Sequence, residues 1–343
     1  MGLALMLILL LDGLWAGITT SITTYEDHVG AQLYVVQSGT RNFFGAISVL
    51  PDTTIAQVRA DPDVEWAANV RGFFAVIELR DRKVPTFVIG SMPDDHGGPW
   101  ELRKGRAPAT DNEITIGTVI ARQHGIDVDD VNDRLDIMGQ QFTVVGTTTD
   151  AFMASFVFMT HAATDRLLRS PNTTSFVLVG TNRPDAVRAR FDGAGLTVLD
   201  RPDLARDDLE LMARAYEVPL RVMRIVTFAV GSLVIALTAY SAIMERRRDY
   251  GMLKAIGAGS RHLLAIAVKQ AMIVSAVGLL TAGVLFLAGR ALITSARPQF
   301  VIVATVGNVG RAAAMAFMMG ALAAVVPAAR LARLEPATAF RGG

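Results

Sequence analysis

A short basic segment between two long apolar stretches constrains the fold of this chain more than any other feature. Residues 225–244 and 270–289 contain no charged side chain. Each is about 20 residues long, which is enough for a helix to cross a roughly 30 Å hydrocarbon core. Between them, residues 245–261 carry four arginines and one lysine against one glutamate and one aspartate. Because short loops rich in Lys and Arg stay on the cytoplasmic side, we predict two transmembrane helices joined by a cytoplasmic loop at residues 245–261.

The remaining apolar stretches complete a predicted membrane part. Hydrophobic residues make up 51% of the chain and are concentrated at its two ends. We predict transmembrane helices at residues 1–22, 219–244, 262–289 and 311–329, an outer loop at 290–310 and a basic cytoplasmic tail at 330–343. Residues 23–218 have the composition of a water-facing domain. The predicted fold is a multi-pass plasma-membrane protein with four transmembrane helices, cytoplasmic N- and C-termini, and a large extracytoplasmic α+β domain inserted between helices 1 and 2.

The inserted domain shows short strand and helix patterns in alternation. Residues 64–70 and 73–79 are typical of paired strands, and a turn at Arg71 and Gly72 is predicted to join them. Gly139 and Gln140 are predicted to form the turn of a second pair. Residues 156–199 follow a β-α-β-α-β order. This alternation predicts an α+β domain of two lobes.

The N-terminal stretch is apolar from Met1 to Ile18 except for Asp12. A signal peptide is one interpretation, but it calls for a basic N-terminal flank, and no Lys or Arg precedes Arg41. We favour a transmembrane helix whose basic cytoplasmic lead-in is absent from this sequence. Asp12 is either a functional carboxylate within the membrane or a residue near the outer surface that reaches water or a neighbouring helix, and we favour the second interpretation.

No pattern of catalytic residues is present in the sequence. It lacks cysteine, HExxH, GxxxxGK[ST] and GxSxG, and its net charge of +1 gives no basis for nucleic-acid binding. The run Asp94-Asp95-His96 could hold a metal, but it is more typical of a polar turn. Asp129-Asp130 and Asp207-Asp208 are interpreted as solvated charge. We therefore expect a chain that is not an enzyme and binds no metal or cofactor itself.

Small residues recur at every fourth position of the last predicted span. The positions are Ala312, Ala316, Gly320, Ala324 and Ala328. Such a stripe lies on one helix face and lets another helix approach closely, although an Ala-rich lipid-facing helix is the alternative. We expect close helix packing along this stripe.

Two motifs resemble those of the FtsX-like permease family, which includes the membrane subunits of MacB- and LolE-type ABC transporters. Residues 245–258 read ERRRDYGMLKAIGA and are similar to the family pattern ERxxE[IF]GxL[KR]A[IL]GA, with Asp249 and Tyr250 departing from it. Residues 327–341 read PAARLARLEPATAFR and are similar to the family's C-terminal pattern, with Leu331 and Phe340 departing from it. The resemblance extends over nearly the whole chain.

The resemblance implies a function and a set of partners. It implies a permease subunit of an ABC transporter complex, with ATP and Mg bound by a separate LolD/MacB-type ATP-binding subunit and with a second permease copy or paralogue beside it. The complex would export or extract a substrate or transmit a mechanical signal across the plasma membrane. The alternative is a non-transporting membrane scaffold or sensor that regulates an extracytoplasmic enzyme. The substrate is not predicted.

The predicted contact with the ATP-binding subunit is the loop at residues 245–261. Its apolar residues are spaced by glycines and rimmed by charges, a pattern typical of a docking surface. The predicted coupling residues are Glu245, Arg246, Asp249, Gly251, Met252, Leu253, Lys254, Ala255 and Gly257.

Overall fold

The structure is a computed structural model that describes residues 1–45, 48–79, 82–93, 96–126, 134–150, 155–193, 195–245, 252, 259–297 and 300–332. The chain divides into two units. The first comprises Met1–Gly17 and Tyr216–Gly343 and is called the membrane unit below; the second, Ile18–Ala215, is called the extramembrane unit.

The α-helices of the described residues are numbered in chain order. They are α1 (Gly2–Ser21), α2 (Thr24–His28), α3 (Thr53–Arg59), α4 (Thr118–His124), α5 (His161–Leu168), α6 (Pro184–Phe191), α7 (Arg201–Met212), α8 (Val218–Glu245), α9 (Ser260–Ala296) and α10 (Val306–Ala332). A π-helical turn, Ala213–Glu217, lies between α7 and α8 in the chain.

Three helical runs in the described part of the chain are long and apolar enough to cross a membrane. They are Gly2–Ser21, Arg201–Thr238 and Met272–Ala296, and Val306–Leu322 is a shorter apolar stretch. In the second run the apolar part begins at Val218, because α7 carries five charged side chains between Asp203 and Glu210.

Two of these helices are longer than the apolar stretches predicted. Helix α9 continues to Ala296 although residue 289 was the expected end of the span. A charged side chain such as Arg290 therefore marks the end of the apolar stretch and does not end the helix. Helix α10 begins at Val306 and not near residue 311, because the Thr305 hydroxyl accepts the N–H of Asn308 at 3.1 Å and caps the first turn. Residues 300–305 form neither a helix nor a strand.

Twelve strands are described in the extramembrane unit. They are β1 (Leu33–Gln37), β2 (Leu50–Pro51), β3 (Trp66–Leu79), β4 (Arg82–Ser91), β5 (Leu102–Gly105), β6 (Glu113–Gly117), β7 (Arg134–Ile137), β8 (Gln140–Thr148), β9 (Ser155–Thr160), β10 (Thr173–Thr174), β11 (Phe176–Gly180) and β12 (Leu196–Asp200).

Ten of these strands form one sheet. Its order is β12-β1-β11-β3-β4-β9-β6-β8-β5, and β7 pairs with β3 and β8. Most neighbours are antiparallel, whereas β4 with β9 and β6 with β8 are parallel. Strands β2 and β10 form a separate pair. The strands of both predicted lobes therefore belong to the same sheet.

The sheet buries both of its faces, as the alternation of side chains along each strand requires. On one face, residues such as Tyr34, Phe158 and Leu178 form a core with α2 and α7. On the other face, Val35 and its neighbours pack with α3 and α6. A third core, which includes Ile116, packs with α4 and α5 on the β6–β8 half of the sheet. The two separate cores of this second face correspond to the two halves of the domain.

The predicted turn at Arg71 and Gly72 is wrong. Both residues lie inside β3, which pairs with β4 from Val70 to Leu79. The Arg71 guanidinium is buried and pairs with Asp165 at 2.6 Å, so it is not at an exposed turn. A side chain at position 72 would approach the ring of Phe87 to 2.8 Å, which explains the glycine in the middle of a strand. The second predicted turn is shifted by one residue, to Met138 and Gly139, and Gln140 begins β8.

Candidate functional site

The predicted coupling loop lies mostly outside the described residues. Glu245 is the last residue of α8 and is exposed, and Met252 is helical with 51% of its surface exposed. The other seven predicted residues, Arg246, Asp249, Gly251, Leu253, Lys254, Ala255 and Gly257, are not among the described residues. Their role in coupling stays a prediction.

The first three residues of the small-residue stripe on α10 lie in the interior of the membrane unit. Ala312 and Ala316 are fully buried and Gly320 is also buried, whereas the side chain of Ala324 is not described. The hydroxyl of Ser275 on α9 donates a hydrogen bond to the backbone carbonyl of Ala316 at 3.1 Å. This distance requires the two helices to approach closely at a residue without a large side chain.

Asp12 is the centre of a polar network between three helices of the membrane unit. Its side chain is 1% exposed and forms an ion pair with Arg224 of α8. Its second carboxylate oxygen lies 3.3 Å from Nε of Arg311 on α10. Asn308 completes the network, because its amide donates to the Asp12 carbonyl at 3.1 Å and its Oδ1 accepts from Arg311 at 2.6 Å. Asp12 thus reaches neighbouring helices, one of the two environments expected for it.

The segment before α10 crosses α1 next to this network. The N–H of Val303 donates to the carbonyl of Gly13 at 3.0 Å. A Cβ atom at Gly17 would lie 1.7 Å from the carbonyl oxygen of Val301, and one at Gly13 would lie 2.8 Å from a methyl of Ile302. The two glycines, one helical turn apart, are therefore what allows the segment to lie directly on α1.

The extramembrane unit shows no metal-binding cluster within the described residues. No group of three or more His, Asp or Glu side chains is placed to hold an ion there. His96 stacks on Trp66 with ring centroids 3.7 Å apart, and Asp94 and Asp95 of the same predicted turn are outside the described residues. The ring of His96 therefore packs against an aromatic side chain.

A cavity of about 800 Å³ in the extramembrane unit has a basic lining. Arg103, Lys104 and Arg122 contribute the charges, and Thr118, Thr147 and Thr149 contribute hydroxyls. Two of these hydroxyls contact carboxylates, because Thr118 donates a hydrogen bond to Asp150 at 2.7 Å and Thr149 donates one to Glu101 at 2.7 Å.

The interpretation of Asp207-Asp208 as solvated charge is wrong for Asp208. Its side chain is fully buried, as is Leu204 one helical turn earlier on α7. The two residues lie on the helix face that packs on the sheet, whereas Asp207 pairs with Arg41 at 3.5 Å nearer the surface. Asp129 and Asp130 lie outside the described residues.

Two family descriptions match this chain in succession. The MacB-like periplasmic core domain matches residues 1–194, and the FtsX-like permease C-terminal region matches residues 221–336. The first match covers more than half of the 343 residues. Together they include α1, most of the extramembrane unit and the other helices of the membrane unit.

Two similar sequences match nearly the whole chain. An uncharacterised ABC transporter permease of Mycobacterium tuberculosis is 27% identical over 99% of this chain and 93% of its own length. An uncharacterised ABC transporter permease of Mycobacterium bovis is 26% identical over the same shares.

Solved structures resemble parts of the chain more distantly. The periplasmic region of MacB from Actinobacillus actinomycetemcomitans aligns with a TM-score of 0.40 and 7% identity over 54% of this chain and 95% of that region. The extracellular domain of the transporter YknZ from Gram-positive bacteria aligns with a TM-score of 0.38 and 13% identity over 50% of this chain and 99% of that domain.

Proposed function

This chain belongs to the FtsX-like permease family and carries a MacB-like periplasmic core domain, and from this membership we propose that it transmits ATP-driven movement to its extramembrane unit. It is an ABC transporter permease, a membrane subunit that works with an ATP-binding partner. The observation that carries the proposal is the match of the permease region to residues 221–336, which includes the basic loop at 245–261.

The proposed path of transmission starts at this loop. The exposed side chains of Glu245 and Met252 are consistent with a docking surface for a LolD/MacB-type ATP-binding subunit. That subunit would bind ATP and Mg, and this chain would contribute no catalytic group. Movement of the loop would be passed to α8, which directly follows Glu217 and the extramembrane unit in the chain.

A rigid membrane unit suits this role. The Asp12 network joins α1, α8 and α10 by charged hydrogen bonds, and the Ala316 contact joins α10 to α9. We propose that helices connected in this way move together when a force acts on one of them. This supports force transmission from the loop to the two ends of the extramembrane unit.

The proposed topology follows the charge pattern. We infer four transmembrane helices, with α10 as the fourth, cytoplasmic termini, and the extramembrane unit on the outer side of the plasma membrane. A second permease copy or a paralogue would complete the complex. Export or extraction of a substrate and mechanical signalling to an outer enzyme both fit this arrangement. The family membership favours either of them over a scaffold that works without an ATPase.

Purification of the full chain from its native membranes tests the proposal. We expect an ATP-binding subunit with a P-loop to copurify with the unmodified chain and with the conservative variant Leu253→Met. We expect Leu253→Asp and Gly251→Arg to lose this subunit while they still insert into the membrane. Retention of the subunit by both variants would exclude the loop as the docking surface, and the absence of any ATPase from the unmodified sample would exclude the function.

A further inference from the structure

Two carboxylic acids from distant parts of the chain meet in the core of the extramembrane unit. Glu26 lies on α2 and Asp208 lies on α7, and both side chains are 0% exposed. The two oxygens of Asp208 accept the backbone N–H groups of Phe43 and Phe44 at 2.8 and 3.1 Å. Since two such donors stabilise a negative charge, Asp208 is the anionic member of the pair.

Glu26 has the opposite environment. Both of its carboxyl oxygens are buried, and neither forms a hydrogen bond of normal distance and angle with a described residue. It follows Tyr25 on α2, and the Tyr25 ring packs against Phe43 in the aromatic core. Burial raises the pKa of Glu26 well above its usual value, and the charge on Asp208 raises it further. Glu26 is therefore the neutral, protonated member.

The surrounding charges do not neutralise the pair. Among the described residues, no Lys or Arg forms an ion pair with either acid; Asp27 pairs with Arg201 at 3.5 Å, and Asp207 pairs with Arg41. The remaining titratable neighbours are the Tyr25 and Tyr34 hydroxyls, whose pKa values burial also raises. Burial raises the pKa of Asp208 to about 6, so near neutral pH the pair holds one proton.

The pair is connected to a space that water can occupy. Glu26 lines a cavity of about 400 Å³ together with Gln32, Arg188 and Arg201. The Nε of Arg188 is a buried donor without a hydrogen-bond partner in the described part of the chain, which indicates that a cavity of this polarity is hydrated. The Glu26 carboxyl oxygens are themselves buried, so their proton reaches this water only when the packing around them opens.

We propose that Glu26 and Asp208 form a proton-binding site whose occupancy keeps α2 packed against α7. Each of these helices is close in sequence to a helix of the membrane unit. Helix α2 begins three residues after α1, and α7 is separated from α8 only by the π-helical turn. When α2 and α7 separate, Glu26 becomes hydrated and its O–H proton passes to water at neutral pH. Separation is thus coupled to proton release, and acidity favours the closed contact.

The proposed proton site goes beyond the proposed function and does not depend on it. If the membrane helices move the extramembrane unit, the contact between α2 and α7 lies next to both connections in the chain. The outer pH would then set how easily this contact opens. The proton site itself is a property of the extramembrane unit and remains testable if no ATPase partner is found.

Hydrogen exchange of the full chain in lipid nanodiscs tests the proposal. The probes are the amides of Phe43 and Phe44, because their N–H groups bond to Asp208. After correction for the intrinsic exchange rate, we expect their opening equilibrium to rise with pH above about pH 6, where Asp208 is ionised, because the closed state holds one more proton than the open state. No dependence on pH in the unmodified chain would overturn the proposal.

Two variants define the source of this dependence. Glu26→Gln keeps the shape of the neutral acid but cannot release a proton, so we expect its opening equilibrium to be independent of pH in this range. Glu113→Gln is the control, because the pKa of Glu113 is lowered to about 2 and its carboxylate is already ionised throughout the range. It should keep the slope of the unmodified chain. A Glu26→Gln slope equal to that of Glu113→Gln would contradict the proposal, and if Glu26→Gln fails to fold, the slope of the unmodified chain decides alone.

Discussion

Asp12 of α1 and Arg224 of α8 form an ion pair inside the membrane unit although 212 positions separate them in the sequence. Asp12 is 1% exposed and the Arg224 side chain is 18% exposed, so both groups are largely removed from water. A buried pair of this kind adds little net stability, but the loss of one partner leaves an uncompensated charge. The pair therefore fixes how α1 and α8 are arranged more than it raises the total stability.

Replacement of Asp12 should be strongly destabilising. We expect Asp12→Asn to lower the free energy of unfolding by about 3 kcal/mol, because it leaves the Arg224 guanidinium buried without an anion. The control is Arg311→Gln, since the Arg311 side chain is 56% exposed and its contact is worth less than about 1 kcal/mol. Denaturant unfolding in detergent measures both values. If the two variants lowered the free energy of unfolding by the same amount, the larger energetic role assigned to the Asp12–Arg224 pair would be wrong.

A methyl group at Gly17 should disrupt the contact between α1 and the segment before α10. The added Cβ would lie 1.7 Å from the Val301 carbonyl oxygen. Neither atom can move away without a shift of the backbone to which it is attached. We expect Gly17→Ala to cost about 3 kcal/mol, at the upper end of the range for overpacking. Gly283→Ala on α9 has open space around its Cβ and should be neutral or stabilising. Thermal unfolding of the two variants in the same detergent checks this difference, and an unaffected Gly17→Ala would refute the close contact.

Glu113 should stabilise the extramembrane unit in a pH-dependent manner. Its carboxylate accepts two hydrogen bonds from Arg106 and one each from the N–H groups of Ala109 and Thr110, with the Arg106 bonds the largest cause of a pKa lowered to about 2. Because this pKa lies below the unfolded value of about 4.3, the stabilisation is complete above that pH and is lost as the pH falls toward 2.

The matching variant is Glu113→Gln. We expect it to lower the free energy of unfolding by about 2 kcal/mol at neutral pH, after allowance for the half-exposed Arg106 side chain. The difference from the unmodified chain should disappear near pH 2. A difference of the same size at both pH values would show that the charge of Glu113 is not the cause.

The topology can be tested with single cysteines, because the chain contains none. Asp185→Cys places a thiol on the exposed start of α6, and Gly343→Cys places one at the C-terminus. In intact cells, a membrane-impermeant maleimide should label the first variant and leave the second unlabelled until the cells are opened. The reverse labelling would overturn the proposed orientation.

Local signals in the sequence predicted several elements well. The β-α-β-α-β order predicted for residues 156–199 is present as β9, α5, β11, α6 and β12, and a Pro at the start of α6 is a local signal for that helix. The prediction of a turn at Gly72 was wrong because the glycine leaves room for the ring of Phe87 on the neighbouring strand. Glycine alone does not distinguish a turn from a close approach of another side chain.

The partners of the buried charges could not be predicted from the sequence. Asp12 stood out as a carboxylate in an apolar stretch, but Arg224 and Arg311 reach it only after α8 and α10 have packed on α1. Glu26 gave no signal at all, because a Glu in a short polar stretch after α1 is usually solvated. Its burial follows from the packing of α2 and α7 on the same face of the sheet, which is a property of the tertiary fold.

The most direct test of the central claim is a distance measurement in the reconstituted complex of this chain with its ATP-binding subunit. Spin labels on Asp185→Cys of the extramembrane unit and Leu292→Cys of α9 report movement between the two units. We predict that ATP changes the distribution of distances between the labels, and that Leu253→Asp abolishes this change. Identical distributions with and without ATP in the unmodified loop, while the subunit hydrolyses ATP, would contradict transmission through residues 245–261.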